Sequence, residues 1–331
     1  MNYYIESRIT DPAYNLALEQ FVFDSLDRSN SYIMLWQNHS SIIVGKNQNT
    51  SAEINAAFVN ANNINVVRRL SGGGAVYHDL GNLNYTFITD ASADNTINIA
   101  AYCKPILEAL ISFGVPAEIS GRNDMTIEGK KISGNAQYIR QGRLMHHGTL
   151  LYDSCTEMLV KALNVSDDKI ESKGIKSIKS RVINIRPFMS RDMSINEFRD
   201  ALKKYLFNAF DMKEYHLSPD ENSEALKLKE QKYSKWNWNY GASPPYNIRK
   251  NRRIKGCGNI EILLDVEKQG IIKNAAFFGD FFGNREISEV ASSLTGCRLE
   301  YNALNERLDS IDITHYIHNI SEEDFISLLL E

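Results

Sequence analysis

Apolar residues recur along this chain at two periods, and the switching between them predicts an α+β protein. Residues 2–7 read as a short strand. Asp11-Pro12 then opens a helix, aspartate as N-cap and proline in the first helical position, with Tyr14, Leu18 and Phe21 on one face. Asn15 and Glu19, four apart, share a side of that helix, which composition alone assigns to solvent. Residues 32–36 and 41–45 read as two strands paired through Gln37-Asn38-His39, and residues 53–60 as a short helix. Ile64-Asn65-Val66-Val67, Ala75-Val76-Tyr77 and residues 83–88 are further strands. Residues 96–113 are mostly helical with Leu107, Leu110 and Ile111 as the apolar stripe. Pro105 puts the start of the regular helix near itself, and Gly114 and Pro116 close it.

A hairpin follows. Met125-Thr126-Ile127 and the stretch from Lys131 flank a Glu128-Gly129 turn, and alternation places Lys131 with Ser133 and turns Lys130 and Ile132 away. Residues 144–152 form the last strand of the core, with His147 and Thr149 on one face and His146 on the other. Residues 194–210 and 220–231 look helical, and Trp236-Asn237-Trp238-Asn239-Tyr240-Gly241 reads as an aromatic strap leading into Ser243-Pro244-Pro245. Beyond it the character changes. Two strands (259–266 and 270–278) and three short helices (287–294, 301–308 and 322–330) make a unit of roughly 80 residues. The expected domains are 1–247 and 248–331.

Composition narrows the function. With 331 residues, 43% of them hydrophobic, the chain has enough material for one large and one small domain. A net charge of −4 and a pI near 6.0 leave no basic footprint for nucleic acid. Cys103, Cys155, Cys257 and Cys297 form no CxxC pair and no zinc signature, which points to reduced thiols. No cationic start with an apolar core marks a signal peptide, and no apolar run nears the ~18 residues of a membrane span. A cytoplasmic protein is expected. Lys173, Lys176, Lys179 and Arg181 form a cationic run that reads as a solvated loop or as a docking strip for an acidic partner.

Against that acidic background, cations gather at two glycine loops. Arg68-Arg69-Leu70-Ser71-Gly72-Gly73-Gly74 joins strand to strand, with arginines at its mouth. Consecutive glycines mark a tight turn or a close backbone approach, and their N–H groups can form an anion-binding concavity. The plain alternative is a glycine-rich turn with surface arginines. The second loop, Gly121-Arg122-Asn123-Asp124, precedes Lys130-Lys131-Ile132-Ser133-Gly134-Asn135. Two such loops suit a polyanionic substrate. A P-loop is excluded, because no Lys-Ser/Thr opening a helix follows Gly74.

RRLSGGGAVYHDLGNLNYTF, GRNDM, KKISGNAQ and HHGTLL, in this order, resemble the lipoate–protein ligase family, and the likeness runs from Asn15 and Glu19 to Gly279-Asp280-Phe281-Phe282. The resemblance implies a catalytic fold shared with biotin–protein ligases and octanoyltransferases, mixed sheets flanked by helices, and a small α+β accessory domain at the C-terminus. It implies activation of lipoate by ATP to lipoyl-AMP, with Mg²⁺, then transfer to a lysine of an apo lipoyl domain of a 2-oxoacid dehydrogenase or of the glycine-cleavage H protein. Lys131 is the implied catalytic cation. Arg69, Ser71, Gly72, Gly73, Gly74 and His147 are implied to bind lipoate. Val76, Tyr77, His78, Asn82, Asn123, Asp124 and Lys131 would bind ATP or the adenylate, with Asp124 as the carboxylate for Mg²⁺. Gln48 and Asn49 would border the lipoate pocket. One departure is that Arg140, after Gln137-Tyr138-Ile139, stands displaced from an arginine that some members carry nearer the SG(N/S)A turn.

Two other readings stay open at this point. An octanoyl- or lipoyl-transferase on the same fold would need a cysteine thioester, for which Cys103 and Cys155 are the nearest candidates. A non-catalytic nucleotide- or lipoate-binding module would keep the glycine loops without needing Lys131. Biotin–protein ligases differ in their Arg-rich glycine loop.

Overall fold

A computed structural model describes residues 1–91, 97–121, 123–164, 181–241 and 246–330. It resolves into two compact units, Met1–Val44, Thr50–Arg69 and Ala75–Asn239 in the first, and Gly45–Asn49, Leu70–Gly74 and Tyr240–Glu331 in the second. Among the described residues, no helix is long and apolar enough to cross a membrane. The cationic run from Lys173 lies outside the described residues except for Arg181, as does Ser243-Pro244-Pro245.

The first unit is built on two sheets. Its strands are β1 (Asn2–Glu6), β2 (Ser31–Trp36), β3 (Ser41–Val44), β4 (Asn65–Arg68), β5 (Val76–His78), β6 (Asn82–Asp90), β7 (Glu118–Ser120), β8 (Asp124–Ile127), β9 (Lys130–Arg140), β10 (Arg143–Leu151) and β11 (Met212–Glu214). Eight of them make a mixed sheet in the order β11-β1-β2-β6-β10-β9-β8-β7, and the other three make a small sheet in the order β4-β3-β5. The expected β2–β3 hairpin is therefore wrong. β3 pairs in parallel with β4 and antiparallel with β5. A parallel neighbour needs a crossover, which the helical turns Thr50–Glu53 and Ala56–Ala61 supply. Those turns replace the single helix expected over 53–60, since Asn55 caps the second one by accepting from the Phe58 N–H at 3.2 Å. Met212–Glu214 extends the large sheet beyond the strand expected to be its last.

Helix α1 (Pro12–Ser25) covers one face of the large sheet and is buried from Pro12 to Phe23, so Asn15 and Glu19 are core residues and not a solvated edge. Helices α2 (Ile99–Ser112) and α3 (Ile195–Phe210) lie over the opposite face, where Tyr102 stacks on His146 and Phe210 meets Phe87. α2 begins at the Asn98 cap and runs through Pro105, whose missing N–H falls opposite exposed Ala101. Its buried stripe is Ile99, Cys103, Ile106 and Leu110, while Ile111 is 54% exposed. At its end Val115 and Gly114 donate backward to Leu110 and Ile111, with Gly114 at φ +87°, a Schellman stop.

The second unit holds an antiparallel sheet of β12 (Ile248–Ile254), β13 (Gly258–Val266) and β14 (Ile272–Gly279), in that order, not the two strands expected. β12 escaped notice because its inward positions include Lys250 and Arg252, which break the apolar period. Helices Ile287–Leu294, Tyr301–Leu308 and Glu322–Leu330 match expectation and close a core of Ile262, Leu264, Phe277, Leu304 and Phe325. The aromatic strap is a helical turn, Trp236–Tyr240.

Candidate active site

Under α1 the large sheet presents a row of polar side chains. Register places Trp36 opposite Asn84, Thr86 opposite His147, and Asn84 opposite Thr149, so all five share one face. Glu19 reaches down from α1, only 1% exposed. It accepts from Thr86 Oγ1 at 2.5 Å, and His147 Nδ1 lies 3.1 and 3.3 Å from its two oxygens. Trp36 Nε1 donates to Thr86 Oγ1 at 2.9 Å. A buried carboxylate is costly unless matched, and the buried Arg69 supplies the opposing charge. Burial pushes the Arg69 guanidinium down to about 10, and the Glu19 carboxylate acts in the other direction, so Arg69 remains cationic at neutral pH. Its Nη1 donates to the Ile43 carbonyl at 3.0 Å.

A second chain of bonds sets a histidine tautomer. Asn15 Nδ2 donates to Asn38 Oδ1 at 2.9 Å, and Asn38 Nδ2 faces His78 Nδ1 at 3.1 Å. With its oxygen already accepting, Asn38 donates, so His78 Nδ1 accepts and Nε2 carries the proton. Burial, then the Arg69 cation, lowers the His78 pKa to about 3. His78 closes β5, one of the two edge strands of the small sheet, and Val76 and Tyr77 precede it there. An edge strand leaves one row of backbone groups outside the ladder. Asn82 donates to Asn84 Oδ1 at 2.9 Å, both side chains being buried.

Lys131 stands where the hairpin is irregular. The β8–β9 register shifts between Met125 and Thr126, pairing Met125 with Ser133 but Thr126 with Lys131, so Ile132 is an extra residue. This bulge overturns the alternation argument. Lys131 falls on the face of Gly134, opposite Ser133: a side chain on Gly134 would meet Lys131 Nζ at 2.8 Å. The ammonium lies 2.7 Å from Asp124 Oδ1, each side chain about a third exposed (35%). Gly134 N–H donates to Thr149 Oγ1 at 3.1 Å, tying this corner to the strand of His147. Asn123 is held by Asn135, accepting from its backbone N–H at 2.9 Å and donating to its carbonyl at 2.8 Å.

The chain's own residues do not build a metal centre there, since among the described residues no three His, Cys, Asp or Glu side chains come together. Asp124 offers a single carboxylate, already facing Lys131. That suits Mg²⁺ only as it is held by one carboxylate together with phosphate oxygens.

The glycine loop belongs to the second unit. Its glycines answer three different needs. A Cβ on Gly72 would collide with the Phe281 carbonyl, Gly73 sits at φ +88°, and Gly74 has open space around it. Ser71 accepts from the Lys46 N–H at 2.9 Å, and Gln48 is buried, accepting from the Gly45 N–H at 2.8 Å. The two arginines before the loop are not surface residues, each being under 8% exposed (7% and 6%). Arg68 binds the first unit together, donating to the Trp238 carbonyl at 2.9 Å and to Thr50 Oγ1 at 2.7 Å.

Of the expected residues, Arg69, His78 and His147 gather beneath α1, where they meet Glu19, a residue the sequence assigned to solvent, and Lys131, Asp124 and Asn123 gather at the hairpin. Ser71, Gly72, Gly73 and Gly74 stand in the second unit. Arg140 pairs with Asp24 at 2.6 Å. Trp36, Asn38, Thr86 and Asn135 were not singled out from sequence. The alternation Asn82, Asn84, Thr86 in an otherwise apolar strand was the available signal.

The family description "Lipoyl protein ligase A/B catalytic domain" matches residues 11–207, and "Bacterial lipoate protein ligase C-terminus" matches 243–329. The chain is 45% identical over 324 residues to lipoate-protein ligase LplJ of Bacillus subtilis (strain 168), covering 97% of each. Among solved structures it is similar to P. falciparum LipL1 in complex with lipoate, with a TM-score of 0.82 and 25% identity, covering 100% of this chain and 98% of that one. It is also similar to a lipoate-protein ligase A bound with ATP, with a TM-score of 0.61 and 26% identity, covering 73% and 99%.

Proposed function

The chain belongs to the lipoate–protein ligase family, and from that premise we propose how it attaches lipoate to protein. A lipoate carboxylate oxygen attacks the α-phosphorus of ATP, the bond to pyrophosphate breaks, and lipoyl-AMP forms. A lysine amine of an apo lipoyl domain, from a 2-oxoacid dehydrogenase or the glycine-cleavage H protein, then attacks the acyl carbon. The amine loses a proton and AMP leaves. No enzyme nucleophile takes part.

The observation that carries this reading is Lys131. Its ammonium is seated over Gly134, paired with one carboxylate and about a third exposed (35%), so it is poised to exchange Asp124 for an incoming phosphate oxygen. A cation fixed there stabilises charge as it builds on phosphate and acyl oxygens. We assign Asn123, Asp124, Asn82 and the edge-strand residues Val76, Tyr77 and His78 to the nucleotide; Asp124 would be the one protein carboxylate to hold Mg²⁺, which would offset phosphate charge. We assign Arg69, His147, Ser71, Gly72, Gly73 and Gly74 to lipoate. Residues 1–247 would carry both steps and 248–331 an accessory domain. The transferase alternative loses Cys103, which is fully buried with its thiol pushed up to about 12 by burial, and would rest on the exposed Cys155 alone.

The test is to mix the protein with lipoate and an apo lipoyl domain, with and without Mg-ATP, and weigh the acceptor by mass spectrometry. A lipoyl mass gain only with ATP is expected. Gain from an acyl-carrier donor without ATP would overturn the proposal in favour of a transferase.

A further inference from the structure

Gly148, between His147 and Thr149, has its missing side chain explained by what occupies that space. A Cβ there would collide with Asn135 Oδ1 and with the Tyr85 hydroxyl. Those two groups are hydrogen-bonded to each other on the sheet face away from α1, the Tyr85 hydroxyl donating to Asn135 Oδ1. Burial holds the Tyr85 pKa well above its ordinary value, so the phenol keeps its proton to donate. With its oxygen occupied, the Asn135 amide turns its nitrogen the other way, donating to the Asn123 carbonyl at 3.1 Å and to Ser133 Oγ at 3.2 Å. The backbone N–H of Asn135 reaches the same carbonyl at 2.9 Å, and Asn123 Nδ2 returns a bond to the Asn135 carbonyl at 2.8 Å. Asn123 is thus clamped immediately before Asp124, the carboxylate that faces Lys131.

We propose that Asn135, gripped by Tyr85 in the space left by Gly148, is a positioning residue that fixes Asn123 and Asp124 for the nucleotide from the opposite face of the sheet. This rests on the ATP-dependent reading above. Asn135 and Tyr85 are 3% and 0% exposed, so they act on ATP only through residues 123 and 124. A bulged hairpin has one ladder position unpaired, and a second, side-chain clamp is what keeps such a corner in one geometry.

The experiment measures lipoyl-adenylate formation against ATP concentration, well below each variant's melting temperature, for the wild type, Tyr85→Phe, Asn135→Ala and the double variant. Losing one buried donor should raise the KM for ATP roughly three- to tenfold in Tyr85→Phe, with kcat and the KM for lipoate within about twofold. The double variant should be no worse than Asn135→Ala, because Tyr85 reaches Asn123 and Asp124 only through the Asn135 amide. Ser133→Ala, which removes an acceptor of Asn135 and a hydroxyl bonded to Tyr85 in the same clamp, should shift the KM for ATP in the same direction by less, and it decides the matter if Tyr85→Phe does not fold. An unchanged KM for ATP, or effects that multiply in the double variant, would overturn the proposal. A wild type that forms no adenylate would overturn the ligase reading with it.

Discussion

His146 and His147 are neighbours on β10 and belong to different worlds. His147 faces α1, where Glu19, Thr86, Trp36 and Arg69 make a buried polar layer. His146 faces α2, stacked with Tyr85 at 5.9 Å and with Tyr102 at 5.4 Å, one nitrogen taken by Gln137 at 3.2 Å. Burial drives its pKa well below the usual histidine value. One face collects charge that burial alone would expel. Around His146 the other keeps neutral groups, Tyr85, Tyr102 and Gln137, which brace the strands from behind, while its charges, such as Arg199 of α3, stand beside β1. The teaching is that the two sides of β10 divide the labour, with opposed charges in the reaction layer and uncharged polar groups in its support.

The sharpest break in that comparison is Lys131→Ala. Removing a cation from the reacting face should lower adenylate formation by about 10²–10³-fold while the fold survives, read by pyrophosphate release and circular dichroism. Normal adenylation by the variant would sink the assignment. Glu19→Ala comes next. It strips the partner from buried Arg69 and His147, and it should destabilise the first unit by about 3 kcal/mol in urea titration. A change below about 1 kcal/mol would mean that water or another group already balances that charge.

A pH series tests whether the charge rule holds on both faces. His78 has a folded pKa of about 3, below its unfolded value, so the native state binds fewer protons through that interval. Stability is full above about pH 6.5 and falls as pH drops toward 3, by up to about 1.4 kcal/mol per unit for each such histidine. His78→Gln and His146→Gln should each flatten that slope, by urea midpoints measured from pH 7 to 4. An unaltered slope would refute the neutral assignment. The smallest effect belongs to His146→Phe, which keeps the aromatic stack and loses one bond to Gln137. It should cost about 1 kcal/mol and leave ATP-dependent ligation within about threefold. A large activity loss there would erase the distinction between the faces.

Much of the chain was legible before any coordinates. The Asp11-Pro12 helix start, the Glu128-Gly129 turn and the three C-terminal helices follow from caps, positive-φ demands and apolar spacing, all of which act over a few residues. So did the split of His146 from His147, since strand alternation is local. The glycine and lysine motifs announced polyanion chemistry by residue type alone.

Other features required the assembled fold. Strand partnership was one: nothing within Ser41–Val44 says that its neighbours are Asn65–Arg68 and Val76–His78, because four buried positions fit any pairing. The side of the sheet on which Lys131 stands was another, since it turns on one inserted residue, Ile132, that shifts the register. The burial of Asn15, Glu19, Arg68 and Arg69 was a third. Their sequence reads as polar surface, and only the groups brought to them from distant segments make burial affordable. Local spacing therefore determined which elements form and which chemistry they carry. Long-range contacts decided which charges are buried together and which way they face, because desolvation and pairing energies depend on neighbours that the sequence does not place side by side.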